Sequence, residues 1–278
     1  MIRFGLQLFI KEVALFGLTL ALGIYTAYRY SLDSVGIVQE GIIRFTFTDL
    51  VVLLILFSAI FFISRRKKIA RFSFKFFLIL IVFSGTQVVL GTFLPFPWDL
   101  ITAVLFTLIF ATGVNVLVHD FGIIFGIAGI AAVFGLSISI EFGLILLVVL
   151  SLYDIVAVYV TKHMVTMARS MVESGAVFGF LIPFEFKGFF YGKDEAKAGI
   201  GDNFMILGSG DIGLPLIFAV SLIKASLISA IITAGFSLLG LFITHLLFIN
   251  QGQRRAMAAL PPIATMTIIG YLITVVIK

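Results

Sequence analysis

Runs of about twenty apolar residues recur along almost the whole of this chain, separated by short stretches in which lysine and arginine gather. A bilayer core of roughly 30 Å takes about 20 apolar residues per helix. Backbone in hydrocarbon must also satisfy its own hydrogen bonds, so the chain is expected to cross the membrane as a series of helices. Composition agrees: 278 residues, 61% hydrophobic and 12% charged, exclude an ordinary soluble domain. The formal charge of +5 does not imply a nucleic-acid partner, because the basic residues lie in clusters between apolar runs, where they act as topology signals. The lack of cysteine excludes disulfides, cysteine metal sites and a thiol nucleophile. His119, His163 and His245 are scattered without metal-ligand spacing, and each is expected to be an interfacial or packing residue. No metal and no cofactor is expected.

Hydropathy places candidate spans near 9–28, 46–64, 75–94, 99–118, 121–138, 141–161, 204–223, 225–249 and 258–277. The expected fold class is therefore all-α, a single polytopic membrane domain over 1–278 with nine transmembrane helices. Six lie in 1–161, a cytoplasmic-side connection covers 162–203, and three more lie in 204–278. Arg3 and Lys11 precede an apolar run over 13–27 without a convincing small-x-small cleavage site, so this run is expected to be the first span. His119 and Asp120 are expected to be nearly all that joins the fourth and fifth spans. With the N-terminus inside, fifteen basic residues fall on the cytoplasmic side and four (Arg29, Arg44, Lys224 and Lys278) outside, which predicts a cytoplasmic N-terminus and an external C-terminus.

In the long connection, 164–173 is expected to form a short amphipathic helix, while 176–191 is aromatic and too interrupted by glycine for a span. It either lies on the membrane surface as a linker or covers a site. Gly122 and Gly126 are spaced for close helix approach, and plain packing accounts for them. Trp98, following Pro95 and Pro97, is expected to be an interface anchor.

A carboxylate at mid-bilayer costs about 2.5–3.5 kcal/mol on insertion scales. Glu12, Asp49, Asp99, Asp120 and Glu141 lie near span ends, where water or headgroups are expected within reach. Asp154 and Asp211 lie well inside the sixth and seventh spans, each about eight residues from a cytoplasmic end. At 1.5 Å per residue, antiparallel helices would set both at a similar depth of roughly 12 Å. Neither has an obvious basic partner in a neighbouring span. Two carboxylates brought together in a low dielectric cannot both ionise comfortably, so such a pair shares a proton. The ionised partner can then take a proton from water while the protonated one polarises a carbonyl. Gly208, Gly210 and Gly213 leave room around Asp211. Pro215, lacking an N–H, leaves the Asp211 carbonyl without its partner in a continuous helix.

The motifs Tyr153-Asp154, Gly208-Ser209-Gly210-Asp211 and Ala259-Leu260-Pro261, in this order and spacing, resemble the presenilin and signal peptide peptidase family over essentially the whole chain. It looks like a compact microbial member. The resemblance implies an intramembrane aspartic endopeptidase of the GxGD type, with Asp154 and Asp211 catalytic and Tyr153, Gly208, Ser209 and Gly210 as their supporting motif. It also implies that Ala259, Leu260 and Pro261 form the P-A-L element beside the aspartates. The family usually reads Pro-Ala-Leu-Pro, whereas Ala258 stands here in place of the first proline. The implied partners are transmembrane-helix substrates, single-span proteins or signal peptides, met within the lipid bilayer, and homo-oligomerisation is left open. A proton-coupled transporter using the same two aspartates is the main alternative, because such carboxylates also serve ion pathways. A prepilin-type peptidase and a non-catalytic binder of transmembrane helices also remain open.

Overall fold

A computed structural model describes residues 2–33, 67–161, 172, 175–192, 195–196, 199, 203–251 and 257–277. The expected second span (46–64), the expected amphipathic helix (apart from Val172), Asp49 and His163 lie outside the described residues. Among the described residues eight α-helices are present: α1 (Ile2–Asp33), α2 (Lys67–Leu90), α3 (Trp98–Thr112), α4 (Val116–Ser137), α5 (Ile140–Ile155), α6 (Ser209–Ser221), α7 (Leu227–Ile249) and α8 (Leu260–Ile277). Six helical stretches among the described residues are long and apolar enough to cross a membrane, α5 counting together with a π-helical extension over Val156–Val160. The helices α3 and α6 are shorter.

Helix α4 is the most enclosed of the spans and packs against α1, α2, α3 and α6. Small residues make this possible. A Cβ on Gly85 of α2 would lie 2.5 Å from the Cα of Gly126, and one on Gly129 would collide with the Gly85 backbone. Lipid offers no hydrophobic drive for helix association, so such backbone contact supplies the van der Waals attraction instead. Gly126 thus serves this packing, as expected, while Gly122 lies against the Phe110 ring of α3. Trp98 is 60% exposed at the start of α3.

The expected all-α architecture needs a correction. Residues Gly179–Pro183 (β1) and Phe204–Gly208 (β2) form an antiparallel pair, in register Gly179↔Gly208 through Pro183↔Phe204. The start of the seventh span is therefore a strand, and the helix begins only at Ser209. A short apolar run such as FMILG has the same hydropathy in either conformation, and pairing with β1 decides it. All five residues of β1 are buried, so this part of the connection is enclosed by the protein. A 3-10 turn, Phe186–Phe190, follows it.

His119 and Asp120 do not join two spans. The turn between α3 and α4 is 113–115, where Gly113 adopts φ 66° and the Asn115 side chain accepts from the N–H of Val118, capping α4. His119 and Asp120 lie inside α4 and are 2% and 0% exposed. Glu12 is likewise 2% exposed and pairs with His245 Nδ1 at 2.9 Å, joining α1 to α7. Contrary to expectation, Glu12 and Asp120 are thus buried and partnered by neighbouring elements.

Candidate active site

Asp154 occupies the last turn of α5, directly before the π-helical Val156–Val160, in which the Thr161 N–H bonds to the Val156 carbonyl at 2.9 Å. A π-turn widens the helix by one residue, and such turns recur at functional positions. Asp154 is 4% exposed, whereas Tyr153 beside it is 56% exposed, so the carboxylate faces the bundle and the tyrosine its surroundings.

Asp211 is the third residue of α6, with Gly208 as N-cap. Its carboxylate turns back toward the Gly208 backbone amide. This is the reach of an N3 side chain to the N-cap, which uses a donor that the helix itself leaves unpaired. Ser209 fixes the same corner from the other side, its N–H bonding to the carbonyl of Phe178 just before β1. Asp211 and Ser209 are half-buried and Gly210 is exposed, so the corner is open on one side. Pro215 lies within α6, and the Asp211 carbonyl accordingly lacks its N–H partner four residues on.

The third motif arrives from α8. Leu260 is the first residue of that helix, and its N–H points to Asp154 Oδ2 at 3.3 Å. First-turn N–H groups have no intrahelical acceptor, and the helix N-terminus favours negative charge, so a carboxylate is a suitable partner here. Pro261 at the next position has no N–H to leave unsatisfied. The preceding carbonyl, that of Ala259, lies 3.4 Å from the Thr244 hydroxyl of α7. Close approach of α7 and α8 is required at Gly240, where a Cβ would sit 2.5 Å from the Ile263 Cα.

Asp154 and Asp211 are near enough to act on one another electrostatically. Residues from α5, the β2–α6 corner and the start of α8 are thus gathered at one place, although Asp154 and Leu260 are 106 positions apart in the chain. The sequence offered no sign of the hairpin holding this corner. Lys11 of α1 donates to the carbonyls of Pro183 (2.8 Å) and Phe184 (2.9 Å), Asp120 holds the middle of β1 at Leu181, and His119 its other end at Gly179. These partners lie far apart in sequence, so no local spacing could have announced them. Among the described residues, no group of three or more His, Cys, Asp or Glu side chains could hold a metal ion.

The fold and this site define a helical membrane protein with two carboxylates within electrostatic reach of one another. Residues 9–278 match the family described as signal-peptide peptidase, presenilin aspartyl protease, and the chain belongs to that family of intramembrane aspartyl proteases. Two solved structures, each described as a presenilin family intramembrane aspartate protease, share the fold. One, in space group C222, has TM-score 0.61 and 21% identity, covering 97% of this chain and 98% of the other. The second, in space group P2, has TM-score 0.60 and 24% identity, covering 95% and 97%. No curated protein matches the chain.

Proposed function

We propose that this chain hydrolyses peptide bonds within the transmembrane helices of single-span membrane proteins or signal peptides, with Asp154 and Asp211 as the catalytic pair and water as the nucleophile. The observation that carries the proposal is the Leu260 N–H on Asp154 Oδ2, which joins the third motif to the first at the aspartates. Sharing one proton, the pair supplies a base and an acid together. The ionised carboxylate takes a proton from water as the oxygen attacks the scissile carbonyl, and the other carboxyl donates its proton to the carbonyl oxygen. A gem-diol results. Its collapse breaks the C–N bond, the leaving nitrogen takes a proton, and no covalent enzyme adduct forms.

A carbonyl tied into an intact helix is shielded, so the substrate must unwind at the scissile bond. The hairpin suits an extended chain. In antiparallel pairing, backbone groups of alternate residues point to opposite edges. The bond from the Ser209 N–H to Phe178 and that from the Phe184 N–H to Asn203 set the phase: Leu207 and Met205 pair with β1, while Ile206 points its N–H and C=O outward. Among the described residues that outward edge of β2 has no partner at Ile206, and it leads to Asp211. An unwound substrate segment can add there as a further strand. Nine spans, a cytoplasmic N-terminus and an external C-terminus remain part of the proposal, resting on hydropathy and the distribution of Lys and Arg.

The test is reconstitution of the purified chain in lipid vesicles with a set of single-span substrate proteins, following product masses. Cleavage within the apolar stretch is expected, falling at least about a thousandfold in Asp154→Ala and in Asp211→Ala. Undiminished cleavage by either variant, or none by the parent chain, refutes the pair.

A further inference from the structure

Two neighbouring buried side chains, unused in the chemistry above, grip the outer edge of β1. Asp120, 0% exposed, accepts the Leu181 N–H at 2.9 Å through Oδ1. His119, 2% exposed, places Nε2 3.0 Å from the Gly179 carbonyl, and a carbonyl only accepts, so Nε2 carries the proton. Its ring also stacks on Phe110 of α3, with centroids 5.7 Å apart and planes at 19°. By the phase of the hairpin, residues 179 and 181 direct their backbone groups away from β2. The carboxylate and imidazole therefore occupy the positions at which a third strand would bond. Ionisable groups within a membrane span are costly, and packing alone would be served better by leucine.

We infer that His119 and Asp120 are positioning residues for the proposed reaction: they hold β1, and through it β2, at the height that determines which substrate bond meets Asp211. The path is continuous. Leu181 faces Ile206 and Gly179 faces Gly208 in the register of the hairpin. Gly208 caps α6, and Asp211 lies three residues on. The clamp also blocks the β1 edge, so an incoming strand has only the β2 edge, the one running to the aspartate. One residue of strand is about 3.3 Å, so a hairpin displaced by that amount offers the neighbouring peptide bond to the pair. The inference rests on the reading of Asp211 as catalytic and of the β2 edge as the substrate's seat.

The experiment compares full-length parent, Asp120→Asn, Asp120→Ala, His119→Phe and Asp211→Ala in lipid vesicles with one single-span substrate. It records kcat, KM and the mass of every product. Asparagine keeps an acceptor for the Leu181 N–H, so Asp120→Asn should cut at the parent bond with kcat within about threefold. Asp120→Ala should lower kcat at least tenfold and spread the cuts over adjacent bonds, a change that mere loss of stability would not produce. His119→Phe keeps the ring on Phe110 and loses the bond to Gly179, and it should broaden the cuts in the same sense. If Asp120→Ala does not fold, His119→Phe decides. Parent kcat with a single parent product in the folded alanine variant, or in His119→Phe where the alanine variant is lost, overturns the inference. So does an Asp120→Asn as impaired as Asp120→Ala. Residual cleavage by Asp211→Ala would instead overturn the proposed function, so the two failures are told apart.

Discussion

Gly208 stands where β2 ends and α6 begins, with φ −63° and ψ 142°, angles open to any residue. A Cβ there would lie 2.9 Å from Asp211 Oδ2, and the next contact is with the same carboxyl group. The atom displaced is the free end of a side chain and not backbone, so Gly208→Ala should fold normally yet turn the carboxylate from its place. A loss of about tenfold or more in kcat, with stability changed by less than about 1 kcal/mol, is expected from parallel turnover and thermal-unfolding measurements. Gly210 is the contrast, since a Cβ at that position meets nothing within 4 Å. Gly210→Ala should leave the melting temperature unchanged. The two glycines look alike in the Gly-Ser-Gly-Asp motif, and only their surroundings separate a steric requirement from an open face.

Between elements, the buried pair of Glu12 and His245 connects α1 to α7, and the residue before Glu12, Lys11, holds the end of β1. Removing one partner leaves the other buried and unsatisfied, so Glu12→Ala should cost on the order of 3 kcal/mol. Adding His245→Ala to that variant should then cost much less than His245→Ala alone. A double-mutant cycle on unfolding free energies checks this, and additive losses would show the pair to be uncoupled. The apolar spans were legible in the sequence because lipid imposes a simple rule on every residue that faces it. The Tyr153-Asp154, Gly-Ser-Gly-Asp and Ala259-Leu260-Pro261 segments were legible as motifs. Interior partners obey no such rule. Glu12 meets a residue 233 positions away and Asp120 one 61 positions away, so both looked like span-end acids within reach of water. The strand Phe204–Gly208 was hidden for a different reason: hydropathy measures transfer from water and does not distinguish a strand from a helix.

For the whole molecule, a pair that works as acid and base together responds to pH on both sides of an optimum. Below it both carboxyls hold protons and none can activate water; above it both are ionised and none can donate to the carbonyl. The profile of kcat/KM against pH in vesicles should be bell-shaped, with both limbs reporting the pair as a unit. A profile that only rises or only falls would contradict a shared proton. The 13 residues of α6 have a consequence for what becomes of the products. At 1.5 Å per residue this helix is about 20 Å long, against a hydrocarbon layer roughly 30 Å thick, and Asp211 stands near its beginning. If α6 ends at the far face of that layer, the proposed cut would fall about 10 Å from the near face and divide a substrate's anchor unequally. The shorter piece would then keep only about 10 Å of apolar chain, too little to hold it in lipid against water, while the longer piece would stay behind. Helix length would then act as a ruler that decides which half of the substrate is set free and on which side of the membrane it emerges.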